Sequence, residues 1–167
     1  MPHPGPQTEF LSLFCFEALY GGAKGPGKTD AIIMEATRQI HHARYRGIIF
    51  RRTFPRLQEI IDRSHRWYPR LGGVYNTQER RWHFPSGAAI AFGHVQHEGD
   101  KYNYQGHEYH YMGFDQLEEF TENQYPFLMA QVRTTDPSIN CYVRATANPG
   151  GIGHAWGKRR FIAGKEP

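Results

Sequence analysis

Apolar residues recur along this chain with two different periods, and the alternation of the two predicts strands separated by helices. Residues 14–20 form an apolar, aromatic run of strand length. Residues 28 to about 42 show helical spacing instead, with apolar side chains at Ile32, Ile33, Ala36 and Ile40. A strand followed directly by a helix is the unit from which parallel sheets are built.

The same alternation continues downstream. Further strands are predicted over residues 47–52, 109–114 and 141–145. Helices are predicted over residues 57–68, where Pro55 is expected to delay the start, and over 122–133. This order predicts an α/β fold with three layers and a mostly parallel central sheet.

The remaining segments are predicted to be a hairpin, a loop and an arm. Residues 80–84 and 88–92 alternate apolar and polar side chains on either side of a Pro-Ser-Gly turn, which indicates a hairpin. Residues 93–108 are polar and predict a loop, and the proline- and glycine-rich residues 1–6 predict an irregular arm.

Composition excludes several classes of protein. With 167 residues, 39% hydrophobic and 22% charged, the chain is long and apolar enough for one globular α/β domain. No apolar run reaches membrane-spanning length, and the N-terminus lacks the pattern of a signal peptide. Cys15 and Cys141 are expected in core strands as reduced thiols, which is typical of a cytosolic protein. The net charge of +4 is compatible with nucleic acid as a partner.

The most informative motif follows the first predicted strand. It fits the phosphate-binding loop G-x-x-x-x-G-K-[ST], with the residues Gly22, Ala23, Lys24, Gly25, Pro26, Gly27, Lys28 and Thr29. Glycines let the backbone curl so that N–H groups face a phosphate. Lys28 can then reach the β- and γ-phosphates, and the Thr29 hydroxyl can bind Mg²⁺. The alternative is a glycine-rich turn that contains Gly-Lys-Thr by chance.

A glutamine precedes this loop. The side-chain amide of Gln7 offers both a donor and an acceptor, which is what the edge of an adenine base requires. An ordinary surface glutamine is the alternative. The sequence alone leaves both open.

An acidic partner for the loop is expected at the end of a neighbouring strand. Asp115 follows the predicted strand 109–114 and is the candidate for Mg²⁺, with a helix cap as the alternative. In many proteins with this loop, the residue after the aspartate is a glutamate that activates water. Here it is Gln116, which is a poor base. Glu118 and Glu119 lie close enough to substitute, or serve as a helix-start residue and a surface charge.

A second polar segment is expected at the same edge of the sheet. Thr146, Ala147 and Asn148 follow the predicted strand 141–145, so they emerge where ligands of parallel sheets bind. Threonine and asparagine there can sense the γ-phosphate or the attacking water. Turn formation by the following Pro-Gly-Gly is the alternative.

Histidines and arginines are frequent but less specific. The pairs His94/His97 and His107/His110 have metal-like spacing, although solvated or packed histidines explain them better. A long set of arginines includes candidates for contact with DNA phosphates and for action on a neighbouring subunit's nucleotide, and most of the set is expected to form a solvated basic surface. That set comprises Arg44, Arg46, Arg51, Arg52, Arg56, Arg63, Arg66, Arg70, Arg80 and Arg81.

Taken together, five motifs resemble the ATPase domain of tailed-bacteriophage large terminase subunits. They are residues 21–29, 51–55, 104–106, 113–115 and 145–151, and the resemblance extends from Gln7 to about Ile162. It implies a three-layer P-loop NTPase fold over residues 7–167. It also implies a motor that uses ATP and Mg²⁺ to package double-stranded DNA. The implied partners are a portal protein, a terminase small subunit and further copies in a ring, in the cytoplasm of a bacterial host.

The resemblance also implies roles for single residues. Lys28 and Thr29 match the phosphate loop, with Lys24 as an extra basic residue. Asp115 matches the magnesium-binding aspartate, and residues 146–148 match the motif that couples hydrolysis to movement. Gln7 resembles the adenine-reading glutamine. Arg80 or Arg81 is similar in place to an arginine proposed to act in trans, of which Arg81 is the candidate.

Two departures from the family pattern bear on activity. The usual acidic residue after the aspartate is Gln116 here, and no nuclease domain is expected within a chain that ends at Pro167. The expected function is an ATP-hydrolysing packaging motor. The alternatives are a terminase fragment that binds nucleotide but hydrolyses it poorly, or another nucleic-acid motor such as a helicase.

Overall fold

The computed structural model describes residues 4–22, 25 and 27–163, which build a seven-stranded sheet. The strands are β1 (Glu17–Tyr20), β2 (Arg46–Arg51), β3 (Val74–Asn76), β4 (Arg81–His83), β5 (Ala89–His94), β6 (Tyr111–Phe114) and β7 (Tyr142–Thr146). Their order is β1-β7-β6-β2-β5-β4-β3. The first five run parallel, and β4 and β3 pair antiparallel at one edge. The mostly parallel sheet is therefore confirmed.

Helices cover both faces of the sheet. They are α1 (Pro6–Leu11), α2 (Lys28–Glu35), α3 (Phe54–Ser64), α4 (Gln124–Met129) and α5 (His154–Phe161). Successive side chains of β2 point to opposite faces: Ile49 packs with α2 and α3, whereas Phe50 packs with α4 and α5. This explains the unbroken apolar run at residues 48–50 in the middle of β2. None of the described helices is both long and apolar enough to cross a membrane.

Helix boundaries differ from the sequence predictions for identifiable reasons. Helix α3 begins at Phe54 with Pro55 in its first turn, so the predicted delay is wrong. A proline there lacks only an N–H that has no partner within the first turn. Helix α2 ends at Glu35 rather than near residue 42, since bonds of three-residue spacing, such as Thr37 N–H to the Met34 carbonyl, replace the helical ones. Helices α3 and α4 also end earlier than predicted.

Several short elements were missed. The predicted hairpin exists as β4 and β5, but β5 also pairs with β2, and β3 extends the antiparallel edge. The predicted loop over residues 93–108 contains the 3₁₀ helix Glu98–Tyr104. Helix α1 starts at Pro6, and α5 occupies the basic tail. These elements are held by tertiary packing, for instance by Trp156 of α5 in the core, and their own periodicity is weak.

The two cysteines do not lie in core strands as expected. Cys15 is exposed, because β1 begins only at Glu17, and Cys141 is half-buried just before β7. Both thiols are free. Burial, and then the nearby Glu108 carboxylate, raise the pKa of the Cys141 thiol above its usual value.

Unequal reactivity of the two thiols follows from this placement. We expect iodoacetamide at pH 8 to modify Cys15 about tenfold faster than Cys141, because only the accessible thiolate reacts. Peptide mapping by mass spectrometry at timed intervals measures the ratio. In urea both cysteines should react alike. Equal rates in the folded protein would contradict the burial of Cys141.

Candidate functional site

The predicted phosphate loop joins β1 to α2. Gly27 immediately precedes α2 with φ 104°, and Gly22 has φ 127°. Both values lie in the region that favours glycine, which explains glycine at these two motif positions. Gly25 is exposed, whereas Ala23, Lys24 and Pro26 lie outside the described residues. Helix α2 starts at Lys28, so its positive end faces the loop.

The Lys28 ammonium connects this loop with the segment after β7. It donates to the carbonyl of Gly22 at 2.6 Å, the carbonyl of Ala147 at 3.0 Å and Oδ1 of Asn148 at 2.8 Å. Desolvation lowers the pKa of Lys28 from its usual value, and the charges of Glu118 and Asp115 oppose that shift. The lysine therefore joins the loop to the segment after β7, and the charges of Glu118 and Asp115 lie near it.

Asp115 lies at the end of β6 and is 1% exposed. Its carboxylate accepts from the Thr29 hydroxyl at 3.1 and 3.3 Å and from the Thr146 hydroxyl at 2.6 Å. Arg51 Nε donates to its Oδ2 at 2.6 Å. The structure thus brings together the two residues predicted for Mg²⁺, Thr29 and Asp115. The next 3₁₀ helix, Leu117–Glu119, begins after Gln116, so Asp115 does not cap it.

Strand order explains why residues so distant in sequence meet. Strand β7 lies between β1 and β6, and the three run parallel. Tyr20 pairs with Thr146, and Phe114 pairs with Ala145, so the loop, Asp115 and the 146–148 segment leave the sheet at one edge. This is the carboxyl edge, where ligands of open parallel sheets bind.

Gln116 and Glu119 are both held by Arg56 of α3. Gln116 has φ 59° and ψ 61°, a left-handed conformation, and its backbone N–H donates to the Thr146 hydroxyl at 3.1 Å. Arg56 donates to Gln116 Oε1 at 3.3 Å and forms an ion pair with Glu119. The Glu119 carboxylate is therefore engaged away from Lys28.

Glu118 is buried, whereas Glu119 is half-buried and pairs with Arg56. Its carboxylate accepts from the Asn148 backbone N–H at 3.0 Å and from Asn148 Nδ2 at 3.2 Å. Because Oδ1 of the same asparagine accepts from Lys28, Asn148 links the lysine to this carboxylate. Of the three candidates after Asp115, only Glu118 takes part in the Lys28 network.

Two glycines lie close against the backbone of Glu118. The Gly153 N–H donates to the Glu118 carbonyl at 2.7 Å. A Cβ at Gly151, whose φ is 79°, would lie 2.5 Å from that carbonyl oxygen. The glycines after Asn148 therefore permit close approach of two backbone segments, as well as forming the turn that the sequence suggested.

An open cleft of about 620 Å³ lies beside these residues. It is lined by Arg51, Arg56, Glu59, Gln116, Glu118, Glu119, Asn148, Pro149 and Gly151. The cleft gives a ligand access to the edge of the sheet where Asp115 lies.

Gln7 is buried rather than on the surface, which contradicts the alternative of an ordinary surface glutamine. It is 3% exposed in α1, and its Nε2 donates to the Gly27 carbonyl at 2.7 Å. This contact ties α1 to the end of the phosphate loop. Recognition of adenine by Gln7 stays a prediction.

Arg81 lies away from the Lys28–Asp115 cluster. It lines a separate depression of about 210 Å³ together with Arg46, His107 and Tyr109. Arg80 lies over the Phe54 ring, 4.6 Å from its centroid. No hydrogen bond among the described residues links Arg81 to the phosphate loop. Action of Arg81 on a neighbouring subunit's nucleotide stays a prediction.

The histidine pairs form no metal site in the part of the chain that the structure describes, where no group of three or more His, Cys, Asp or Glu side chains is arranged to hold a metal ion. His110 is packed: Nδ1 accepts from the Arg46 N–H at 2.9 Å, so Nε2 carries the proton and donates to Glu108 at 3.1 Å. Both ring nitrogens of His110 are engaged within the protein.

Sequence reasoning assigned no site role to Arg51. It stood in a long set of basic residues, most of which are surface charges. Its position at the end of an apolar strand was the available signal, because the ends of parallel strands form the ligand-binding edge. That Arg51 would contact Asp115 depends on β2 and β6 being neighbours, which the sequence did not specify.

Comparisons with known proteins identify the family and the fold. The family model for the large terminase subunit of the T4-like virus type, N-terminal part, matches residues 19–150. The structure is similar to that of the large terminase from a thermophilic bacteriophage, with a TM-score of 0.74 and 15% sequence identity. That similarity covers 98% of this chain and 43% of the phage protein, so the chain spans less than half of its length. A search of curated proteins found no significant match.

Proposed function

Because this chain belongs to the family of large terminase subunits of the T4-like virus type, as its N-terminal part, we propose that it binds and hydrolyses ATP to drive double-stranded DNA into a viral procapsid. The convergence of Lys28, Thr29 and Asp115 at one edge of a parallel sheet is the observation that carries this proposal. Residues 7–167 then form the ATPase domain, with Gln7 beside the loop for the adenine base.

The residues present fit ATP and Mg²⁺. Lys28 and the start of α2 supply positive charge for the phosphates, to which Lys24 would add. The Thr29 hydroxyl and the Asp115 carboxylate are oxygen ligands of the kind that Mg²⁺ prefers. Held by Thr29 and Asp115, Mg²⁺ would supply positive charge that neutralises the phosphates.

Glu118 is the proposed base for the attacking water. Its carboxylate accepts a proton from water as the water oxygen bonds to the γ-phosphorus and the bond to the ADP oxygen breaks, giving ADP and phosphate. Glu119 is paired with Arg56, and Gln116 has no carboxylate. Asn148 holds Glu118 and also contacts Lys28, so loss of the γ-phosphate would be transmitted to the segment after β7.

The partners and location follow from the family as further parts of the proposal. They are double-stranded DNA, a portal protein, a terminase small subunit and a ring of identical subunits in the cytoplasm of a bacterial host. Arg81, which lies outside the cluster, would then act on a neighbouring subunit's nucleotide. Gln116 after Asp115 favours a second candidate, in which the site binds ATP without turning it over.

Binding and turnover of ATP test the proposal. We expect Lys28→Ala to raise the Kd for Mg²⁺–ATP about 10- to 100-fold, because hydrogen bonds to a charged group contribute about 1.5–3 kcal/mol each. Isothermal titration and a steady-state phosphate-release assay measure both quantities. Lys101→Ala, which removes the same charge from the 3₁₀ helix Glu98–Tyr104, is the matched control. If the wild-type chain and Lys28→Ala bind ATP equally, the proposed site is wrong.

Turnover separates the two candidate functions. A wild-type rate above that of Lys28→Ala supports hydrolysis. Tight, Lys28-dependent binding of ATP without measurable hydrolysis supports the hydrolysis-impaired candidate. A large gain in hydrolysis rate from Gln116→Glu would then identify the missing base. Stimulation by single-stranded rather than duplex DNA would instead indicate a helicase.

A further inference from the structure

Arg51 is the last residue of β2, and its guanidinium is buried but only partly hydrogen-bonded. Its side chain is 6% exposed and its Nε donates to Asp115 Oδ2 at 2.6 Å. The residue lines the cleft of about 620 Å³ beside Gln116 and Glu118. The buried arginine is thus fixed at one nitrogen by the carboxylate that is proposed for Mg²⁺.

The two Nη groups of Arg51 make no hydrogen bond to any residue that the structure describes. The fully buried polar atoms that lack a partner do not include these nitrogens, so the Nη groups keep some access to solvent. Arg144 is a useful contrast: it is fully buried, and its Nε, Nη1 and Nη2 all donate to protein oxygens. Arg51 therefore presents free donors to the cleft from a side chain that packing and Asp115 hold still.

We propose that the Nη groups of Arg51 bind the terminal phosphoryl group of the nucleotide, from within the same chain. A guanidinium fork matches the geometry of phosphate oxygens. The cleft's other arginine, Arg56, is already engaged by Glu119 and Gln116. Arg51 contacts Asp115, and Asp115 contacts Thr29. The fork therefore belongs to a side chain that is bonded directly to one of the two proposed Mg²⁺ ligands.

This inference rests on the proposed function and adds a catalytic residue to it. A cation at the terminal phosphoryl group stabilises the charge that develops there as the bond to ADP breaks. It also makes Arg51 a specificity determinant, because ADP lacks the group that the fork contacts. The same chemistry would hold inorganic phosphate after cleavage.

Substitution of Arg51 tests the inference. We expect Arg51→Lys, which keeps the charge but loses the fork, to lower kcat about tenfold, and Arg51→Gln to lower it about a hundredfold. Both should weaken ATP binding about tenfold and leave the Kd for ADP unchanged. Arg70→Lys, at an exposed position in the 3₁₀ helix Tyr68–Leu71, is the matched control. Thermal unfolding confirms that each variant is folded, and Arg51→Lys keeps a cation beside Asp115.

The outcomes separate this inference from the proposed function. If the wild type binds and hydrolyses ATP while Arg51→Lys and Arg51→Gln retain its kcat and its preference for ATP over ADP, the Arg51 inference is overturned and the proposed function stands. If the wild type neither binds nor hydrolyses ATP, both are overturned. Inhibition by inorganic phosphate in the presence of ADP tests whether the fork binds the released phosphate rather than the terminal phosphoryl group of ATP. Weaker inhibition in the variants with unchanged ATP affinity assigns the fork to the released phosphate.

Discussion

Replacing Glu118 with glutamine is expected to lower the steady-state rate of ATP hydrolysis about 10³-fold, within the range that a positioned general base contributes. The amide keeps the size and the acceptor oxygen of the side chain but cannot take the proton of the attacking water. The Kd for ATP should stay within about threefold of the wild-type value, because the proposed phosphate contacts come from Lys28 and the loop.

The geometry singles out Glu118 for this effect. Both of its carboxylate oxygens accept from Asn148, one from the backbone N–H and one from the side-chain amide, so the carboxylate is fixed at two points. Lys28 contacts the same asparagine, so the carboxylate lies one residue from the cation that would hold the phosphates. A base must be within reach of its water before its pKa matters. Among the described acidic residues after Asp115, Glu118 is the one that shares a hydrogen-bonded partner with Lys28.

Matched variants make the result specific. Glu122→Gln removes a similar charge from an exposed position that pairs with Arg159, and it should leave turnover unchanged. Rates are measured under saturating ATP with phosphate release as the readout. A Glu118→Gln variant that retains more than about a tenth of the wild-type rate would exclude Glu118 as the base, given the range expected for general acid–base catalysis. A rate that rises strongly in Gln116→Glu would place the base at position 116 instead.

The sequence predicted the parts of the site that depend on local order. The glycine loop, Lys28 and Thr29 follow one another along the chain, and their motif includes the strand before and the helix after. Asp115 was predictable as the first polar residue after an apolar strand. Each of these inferences needs only neighbouring residues, because a strand end and a helix start are set within a few positions.

The parts that were missed depend on which strands are neighbours. Arg51 contacts Asp115 because β2 pairs with β6, and Asn148 reaches Glu118 because β7 lies between β1 and β6. No local pattern encodes that order. The helices α1 and α5 were missed for a related reason, since short helices are stabilised mainly by the surfaces they pack against. Pro55 misled the prediction of α3 because a proline is compatible with a first helical turn.

The site is also joined to the core through a buried ion pair. Arg144 of β7 donates from Nε to Glu35 Oε2 at 2.9 Å, and its Nη groups donate to the carbonyls of Cys15, Val143 and Leu13 at 2.9–3.0 Å. Glu35 ends α2, the helix that starts with Lys28 and Thr29. Burial raises the pKa of Glu35, while the charges of Arg38 and Arg144 oppose that rise. The pair therefore links the helix of the phosphate loop to the strand that carries Thr146.

Replacing Arg144 with methionine is expected to lower the free energy of unfolding by about 3 kcal/mol, the low end of the cost of breaking a buried ion pair, because Arg38 still pairs with Glu35. Methionine approaches the length of the side chain but removes the donors that serve the Glu35 carboxylate and the three carbonyls. Urea denaturation followed by tryptophan fluorescence measures the change. Arg159→Met, at an exposed pair with Glu122, should cost less than about 1 kcal/mol.

A double variant tests the cause of that loss. If the weakened pairing of the Glu35 carboxylate dominates, Glu35→Leu combined with Arg144→Met should recover part of the stability that Arg144→Met alone loses, since the double variant buries no carboxylate. If the double variant instead loses the sum of the two single effects, the carbonyls of residues 13–16 are the main partners of Arg144. In that case, the arginine stabilises chiefly the chain that leads into β1, and through it the phosphate loop.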